Sequence, residues 1–150
     1  MPVSSFKNGV RVVECVSVLV TNPNGQVLCV SRPWTTDKFT LPGGHVDPED
    51  YIGCPSHEDG LRRAASRELR EESGIVATPD SLVRVFAGLD GHRIGRKRRN
   101  WVTTFAAPEW SGSPWTIEPL VIKWANPALV LRGPHSDYYS RMFRAIGVVR

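Results

Sequence analysis

Three glutamates, Glu68, Glu71 and Glu72, crowd the end of the segment Leu61 to Glu72, LRRAASRELREE. Placed on a helix at about 100° per residue, Leu61, Ala64, Ala65 and Leu69 make one apolar stripe. Arg62, Arg63, Ser66 and Arg70 take the other side. Glu68 and Glu72 project among the apolar residues, with Glu71 flanking them. Neighbouring carboxylates at i and i+4 repel, and turning them towards a protein interior is costly unless a positive charge sits among them. A hard divalent cation such as magnesium, which takes carboxylate oxygens together with phosphates, meets that requirement. The competing reading is a frayed, solvated helix end whose glutamates pair with Arg63, Arg67 or Arg70.

The elements that hold this helix are legible around it. Val12 to Val20 is valine-rich and apolar on nearly both faces, which predicts a central strand. Asn22-Pro23-Asn24-Gly25 is a turn signal. Gln26 to Ser31 is then a second strand, expected to pair back on the first as a hairpin or meander. Phe39 to Leu41 is a short extended piece ended by Pro42-Gly43-Gly44, and Asp47 to Asp59 reads as a loop. Ser56 and Asp59 have capping-box spacing, and Gly74 stands where a left-handed cap ends a helix. Ser81 to Leu89, Trp101 to Ala107 and Ile117 to Trp124 are further strands, with Asp90 to Asn100 a basic loop. His135 to Ile146 is a closing helix with Tyr138, Tyr139, Met142, Phe143 and Ile146 on one face. The order predicts an α+β fold, a mixed sheet held between helices.

Composition sets the outer limits. The chain has 150 residues, enough for one domain, and a net charge of +4, too small to argue for a nucleic-acid binder and compatible with a polyphosphate substrate. The three cysteines, Cys15, Cys29 and Cys54, lack close metal-ligand spacing and read as reduced thiols. No apolar run is long enough to span a bilayer and no signal peptide is evident, so the expectation is a cytoplasmic protein without a membrane partner. Monomer and homodimer are both left open.

The run Arg67-Glu68-Leu69-Arg70-Glu71-Glu72-Ser73-Gly74-Ile75 resembles the second half of the Nudix box, G-x5-E-x7-R-E-U-x-E-E-x-G-U with U aliphatic, at every specified position. Leu41-Pro42-Gly43-Gly44-His45-Val46 resembles the strand and loop that lead into it. The first half departs. Counting five residues on from Gly44 reaches Asp50, whereas counting back from Arg67 reaches Asp59, so roughly nine residues are extra and the expected glutamate is an aspartate by either count. Loop length of this kind costs little. The alignable region runs from about Val12 to Trp124.

The resemblance, to the MutT-like Nudix hydrolases, implies an α/β/α sandwich and magnesium-dependent hydrolysis of a nucleoside diphosphate linked to another group, with manganese as a substitute. Carried onto this chain, Glu68, Glu71 and Glu72 would bind metal, Gly44 would let the backbone approach it, and Arg67 would position a glutamate. The general base would be Glu68 or Glu118, the latter on the strand before Trp124. Arg32, Arg96 and Arg98 are the candidate phosphate contacts, the last two from the basic run Arg93 to Arg99. Trp34, Phe39, Trp101, Trp110, Trp115 and Trp124 are candidates for stacking on a base, most of them read as packing residues. His45 and His135 receive no role. The expected substrate is a small nucleotide such as a nucleoside triphosphate, RNA being the less favoured partner. The alternative is a non-catalytic nucleotide- or RNA-binding module on the same fold.

Overall fold

The computed structural model describes residues 2–35, 38–91 and 98–147. In chain order they form β1 (Ser4–Lys7), β2 (Val10–Leu19), β3 (Val27–Ser31), β4 (Gly43–His45), α1 (His57–Ser73), β5 (Val83–Leu89), β6 (Arg98–Ala106), β7 (Val121–Ala125) and α2 (Ser136–Ile146), with short 3-10 turns at Pro48–Tyr51, Pro79–Ser81 and Pro127–Arg132 among the connections. The expected mixed sheet between helices is present. β1, β2, β6 and β5 lie side by side in that order, β4 continues the β2 edge beyond β1, and the β2–β6 pair is parallel while the others are antiparallel.

Alternation along β2 explains the two layers. Val16, Val18 and Val20 point to one side, where they meet Phe105 and the α1 stripe of Leu61, Ala64, Ala65 and Leu69. Leu19 points to the other, where it joins Val27, Cys29 and the α2 residues Tyr138, Tyr139, Met142 and Phe143. A central strand covered on both faces must be apolar on both, which is why its sequence carries no clean alternation.

Three expectations about strands are corrected. β3 does not form a strand ladder with β2 as a hairpin: it pairs antiparallel with β7 in a separate two-stranded sheet, and is tied to the chain just past β2 by the Thr21–Val27 bridge and the Leu28 N–H to Val20 oxygen bond. The Asn22–Gly25 turn does form, with Asn22 Oδ1 accepting from the Asn24 and Gln26 N–H groups. Turn chemistry fixes a chain reversal, but the long-range partner β7 decides the ladder. β6 begins at Arg98, inside the stretch expected to be basic loop, because its parallel register with β2 starts at Arg11–Arg98. β7 starts at Val121, so Ile117 to Leu120 precede the strand instead of opening it. No helix among the described residues is long and apolar enough to cross a membrane.

Candidate active site

Helix α1 is set by its ends. Ser56 caps it by accepting from the Asp59 N–H, and Gly74 stops it with φ of 73°, a left-handed conformation that glycine adopts without strain. Asp59 is therefore a capping residue, its carboxylate accepting from Ser56 Oγ at 2.7 Å. Asp50 is the acidic residue that reaches Arg67. Their carboxylate and guanidinium meet in a two-point bond, Nε to Oδ1 at 3.1 Å and Nη2 to Oδ2 at 2.9 Å. Asp50 also accepts from the Asp47 N–H at 2.8 Å and is buried. Of the two counts through the box, the forward one from Gly44 thus finds the spatial partner of Arg67. The residues from Tyr51 to the first of α1 fold against the sheet: the Tyr51 hydroxyl donates to Glu14 at 3.0 Å, His57 meets the same carboxylate at 2.7 Å, and the two rings stack. Gly60 leaves room for the Tyr51 ring, which a Cβ there would strike.

Arg67 is the hub of the site. Besides Asp50 it donates to the His45 carbonyl at 3.2 Å, to Glu68 at 3.0 Å and to Glu71 at 3.4 Å. This guanidinium ties the start of the box, β4 and the glutamates into one cluster, with planar donors suited to carboxylates.

The helix phase read from sequence holds. Glu68 and Glu72 turn inward, Glu71 lies at the exposed flank, and Arg70 is exposed on the outer face. Glu72 accepts from the Gly43 N–H at 2.7 Å. Burial pushes the Glu72 carboxyl up to about 8, with Glu68 and Glu118 raising it further while the Gly43 N–H and Arg32 oppose the rise. Burial also raises Glu68, against the pull of Arg67, and Glu71 and Glu118 add to the rise. The two inward glutamates therefore carry an electrostatic cost in this arrangement. A Cβ on Gly44 would sit 2.6 Å from the Glu68 carboxylate, so the absence of a side chain lets β4 run directly over it.

Glu118 reaches this region from a loop. Thr116 Oγ1 donates to the Glu71 carbonyl and accepts from the Glu118 N–H, and the Trp115 N–H donates to the Ser73 carbonyl. These bonds pin the loop against the end of α1. Arg32 and Lys38 line a surface hollow together with Glu72 and Leu120; Lys38 carried no signal in the sequence beyond its charge. Arg96 lies outside the described residues. The Arg98 guanidinium donates to His45 Nε2 at 2.6 Å, and burial followed by that positive charge lowers the His45 pKa.

On the α2 side of Gly43, Gly44 and His45 lies a cavity of about 150 Å3, walled also by Cys15, Asp90, Asn100, His135 and Tyr139. His135, the residue before α2, donates from Nδ1 to the buried Asp90 carboxylate. Tyr139 Oη accepts from the Leu41 N–H at 3.0 Å. None of these residues stood out in the sequence as a group, because they come together from β2, β4, β6, α2 and the residues that follow β5 and precede α2. The aromatic candidates divide. Trp110 and Trp124 pack on each other beside the α1-side core, Phe39 is buried under Lys123, and Trp34 and Trp115 are exposed.

The NUDIX domain model matches residues 12–145. The chain belongs to the NUDIX family. Among curated proteins it is similar to the CTP pyrophosphohydrolase of Escherichia coli strain K12, 27% identical over 127 residues that cover 83% of each chain. Among solved structures it superposes on the E. coli ORF135 protein with a TM-score of 0.66 at 23% identity, over 95% of this chain and 96% of that one. A MutT NUDIX hydrolase from Burkholderia pseudomallei matches with a TM-score of 0.58 at 20% identity, covering 77% and 84%. This NUDIX protein is accordingly a pyrophosphohydrolase of nucleotide-linked substrates, and the enzyme reading of the sequence stands over the binding-module alternative.

The NUDIX glutamates do not form a ready-made cage. Among the described residues no group of three or more acidic, histidine or cysteine side chains is already gathered about one point. Glu68 and Glu71 are drawn to Arg67, and Glu72 to the Gly43 N–H. The donor chemistry nevertheless fits a hard cation: two inward carboxylates raised by burial and by neighbouring carboxylates, a third at the rim, and a peptide chain brought against them by Gly44.

Proposed function

We propose that the protein hydrolyses a phosphoanhydride bond of a nucleoside triphosphate in a reaction that requires a divalent cation, magnesium or its substitute manganese, held by Glu68, Glu71 and Glu72. The observation that carries this reading is the pair of inward glutamates, Glu68 and Glu72, both raised by burial and by neighbouring carboxylates at the edge of β4. When bound, the cation supplies charge neutralisation at the phosphates and acidifies a water.

The chain's own residues do the rest. Arg67, fixed by Asp50 and the His45 carbonyl, holds Glu68 and Glu71 in place. Gly44 provides the close backbone approach. Arg32 and Lys38, beside Glu72, attract the triphosphate chain. Glu68 or Glu118 accepts the proton of the attacking water, and both face the same cluster. The cavity beyond Gly43 and Gly44 takes the base, so that the phosphates cross the β4 edge to the glutamates. The E. coli relative named for CTP supports a nucleoside triphosphate as substrate. On this reading Arg98, bonded to His45, acts from the base side of β4 and not on the phosphate chain.

The test is phosphate and pyrophosphate release from a panel of nucleoside triphosphates, with and without magnesium, for the wild type and Glu72→Gln. Turnover that needs both the cation and Glu72 supports the assignment. Undiminished turnover by Glu72→Gln, or in the presence of chelator, removes it.

A further inference from the structure

Helix α1 covers only part of its side of the sheet. Val16 and Val18 of β2 and Phe105 of β6 belong to the core it packs on, and its first residue, His57, meets Glu14. Past Glu14 the same face carries a groove of about 660 Å3 whose lining includes no residue of either helix. That volume lies within the ~300–1,000 Å3 of small-molecule sites.

Strand register grades the floor of this groove. Glu14 is level with Trp101 and Trp101 with Leu89; Val12 is level with Ser5 and Arg99; Val10 is level with Lys7. Residues paired in this way share a face of the sheet. From Glu14 to Val10 is roughly 13 Å of strand. At one end stands the indole of Trp101, 38% exposed. Arg99 and Lys7 line the rest, with Ser5 between them across the strands.

The two cations lack local acceptors. Neither the Lys7 nor the Arg99 side chain has an ion pair or hydrogen bond among the described residues. The carboxylate on the groove, Glu14, is engaged by Tyr51 and His57. A partly buried guanidinium in that state favours an anionic ligand. An aromatic face, then a hydroxyl and valines, then two cations match the base, sugar and phosphate of a nucleotide in that order.

We propose that this groove is a second nucleotide site, which takes a free mononucleotide with its base stacked on Trp101 and its phosphate between Arg99 and Lys7. It is distinct from the cavity beyond Gly43 and Gly44. Cys15 and Ser17, which line that cavity, alternate along β2 with Val12 and Glu14, so the two sites lie on opposite faces of the sheet.

The experiment measures AMP binding by calorimetry in chelator for the wild type, Trp101→Ala, Trp101→Phe and Arg99→Gln, together with kcat/KM for CTP. AMP has no phosphoanhydride bond, so it is not consumed. Trp101→Ala should weaken a component of AMP binding by about tenfold to a hundredfold, the loss of one stacked base. Trp101→Phe, which keeps a ring, should bind within about threefold of the wild type. Arg99→Gln should weaken AMP by about tenfold, the loss of one charge-assisted bond, while adenosine, which has no phosphate, should bind it as it binds the wild type. The value of kcat/KM should stay near that of the wild type in all three variants. If Trp101→Ala fails to fold, Arg99→Gln and the adenosine comparison decide. Absence of AMP binding, binding that is the same in the wild type, Trp101→Ala and Arg99→Gln, or a fall in kcat/KM parallel to the loss of AMP would overturn the proposal. So would a short oligoadenylate that binds far more tightly than AMP, since the groove would then serve a nucleic-acid strand.

Discussion

Asp50→Ala should destabilise the protein far more than Asp59→Ala, although either position satisfies one count through the box. Asp50 is buried and meets Arg67 with two bonds of 2.9 and 3.1 Å, and it also accepts from the Asp47 N–H. Hydrogen bonds to charged groups contribute about 1.5–3 kcal/mol. Removing the acid leaves Arg67 with Glu68, Glu71 and partial solvent exposure, which limits the loss to about 2–3 kcal/mol. Arg67→Ala should cost more, about 3–5 kcal/mol, because it strands the Asp50 carboxylate in the interior. Asp59 makes a cap contact with Ser56 and a 3.6 Å surface pair with Arg62. Its loss should amount to about 1 kcal/mol or less. For a chain of this length, 1 kcal/mol corresponds to about 2–4 °C in Tm. Asp50→Ala should therefore melt about 4–12 °C below the wild type, and Asp59→Ala within about 4 °C. Urea unfolding of the variants, with the Asp50→Ala/Arg67→Ala double mutant closing the cycle, measures the coupling directly. An Asp59→Ala loss as large as that of Asp50→Ala, or additive single mutants at positions 50 and 67, would refute the pairing.

Three further outcomes follow from the site. Gly44→Ala should lower kcat/KM by about a hundredfold, since a Cβ placed 2.6 Å from the Glu68 carboxylate must displace it and small misplacements at a reacting centre are costly; steady-state kinetics near wild-type values would show that Glu68 moves freely. In chelator, the Tm advantage of Glu72→Gln over the wild type should grow as pH rises from 5 to 9. The Glu72 carboxyl is raised to about 8, so its favourable contribution, complete below the unfolded value near 4.5, is lost as the folded group ionises; a pH-independent difference contradicts the burial. Arg67→Ala should reduce kcat/KM much more than Arg70→Ala, because Arg67 touches Glu68 and Glu71 while Arg70 faces solvent, and the reverse ranking would mean the helix is phased differently.

Local chemistry made much of this legible. The span of α1 was set by Ser56 and Gly74, residues whose capping roles depend only on adjacent backbone. Its inward face followed from the 3.6-residue period, which also put Glu68 and Glu72 on the buried side. The family resemblance rested on the same contiguous run and is shown by the match over residues 12–145. The α2 stripe of Tyr138, Tyr139, Met142 and Phe143 was equally visible, and all four are buried.

Features built from distant segments were not legible. The sequence held two aspartates for one position, and only the fold brought Asp50, seventeen residues away, against Arg67. The partner of β3 is β7, far along the chain, so the turn at Asn22–Gly25 misdirected the pairing. The cavity gathers Cys15, His45, Asp90, Asn100, His135 and Tyr139 from separate strands and a helix. Apart from His135 and Tyr139, one helical turn apart, they come from segments distant in the chain, and so no periodicity or motif could announce them as a group. The sequence alone determined which helix carries the acids and how it is phased, because capping and helical periodicity act within a few residues. The tertiary structure decided which aspartate holds the arginine and which residues line the cavity, because burial and long-range pairing exist only once the sheet has closed.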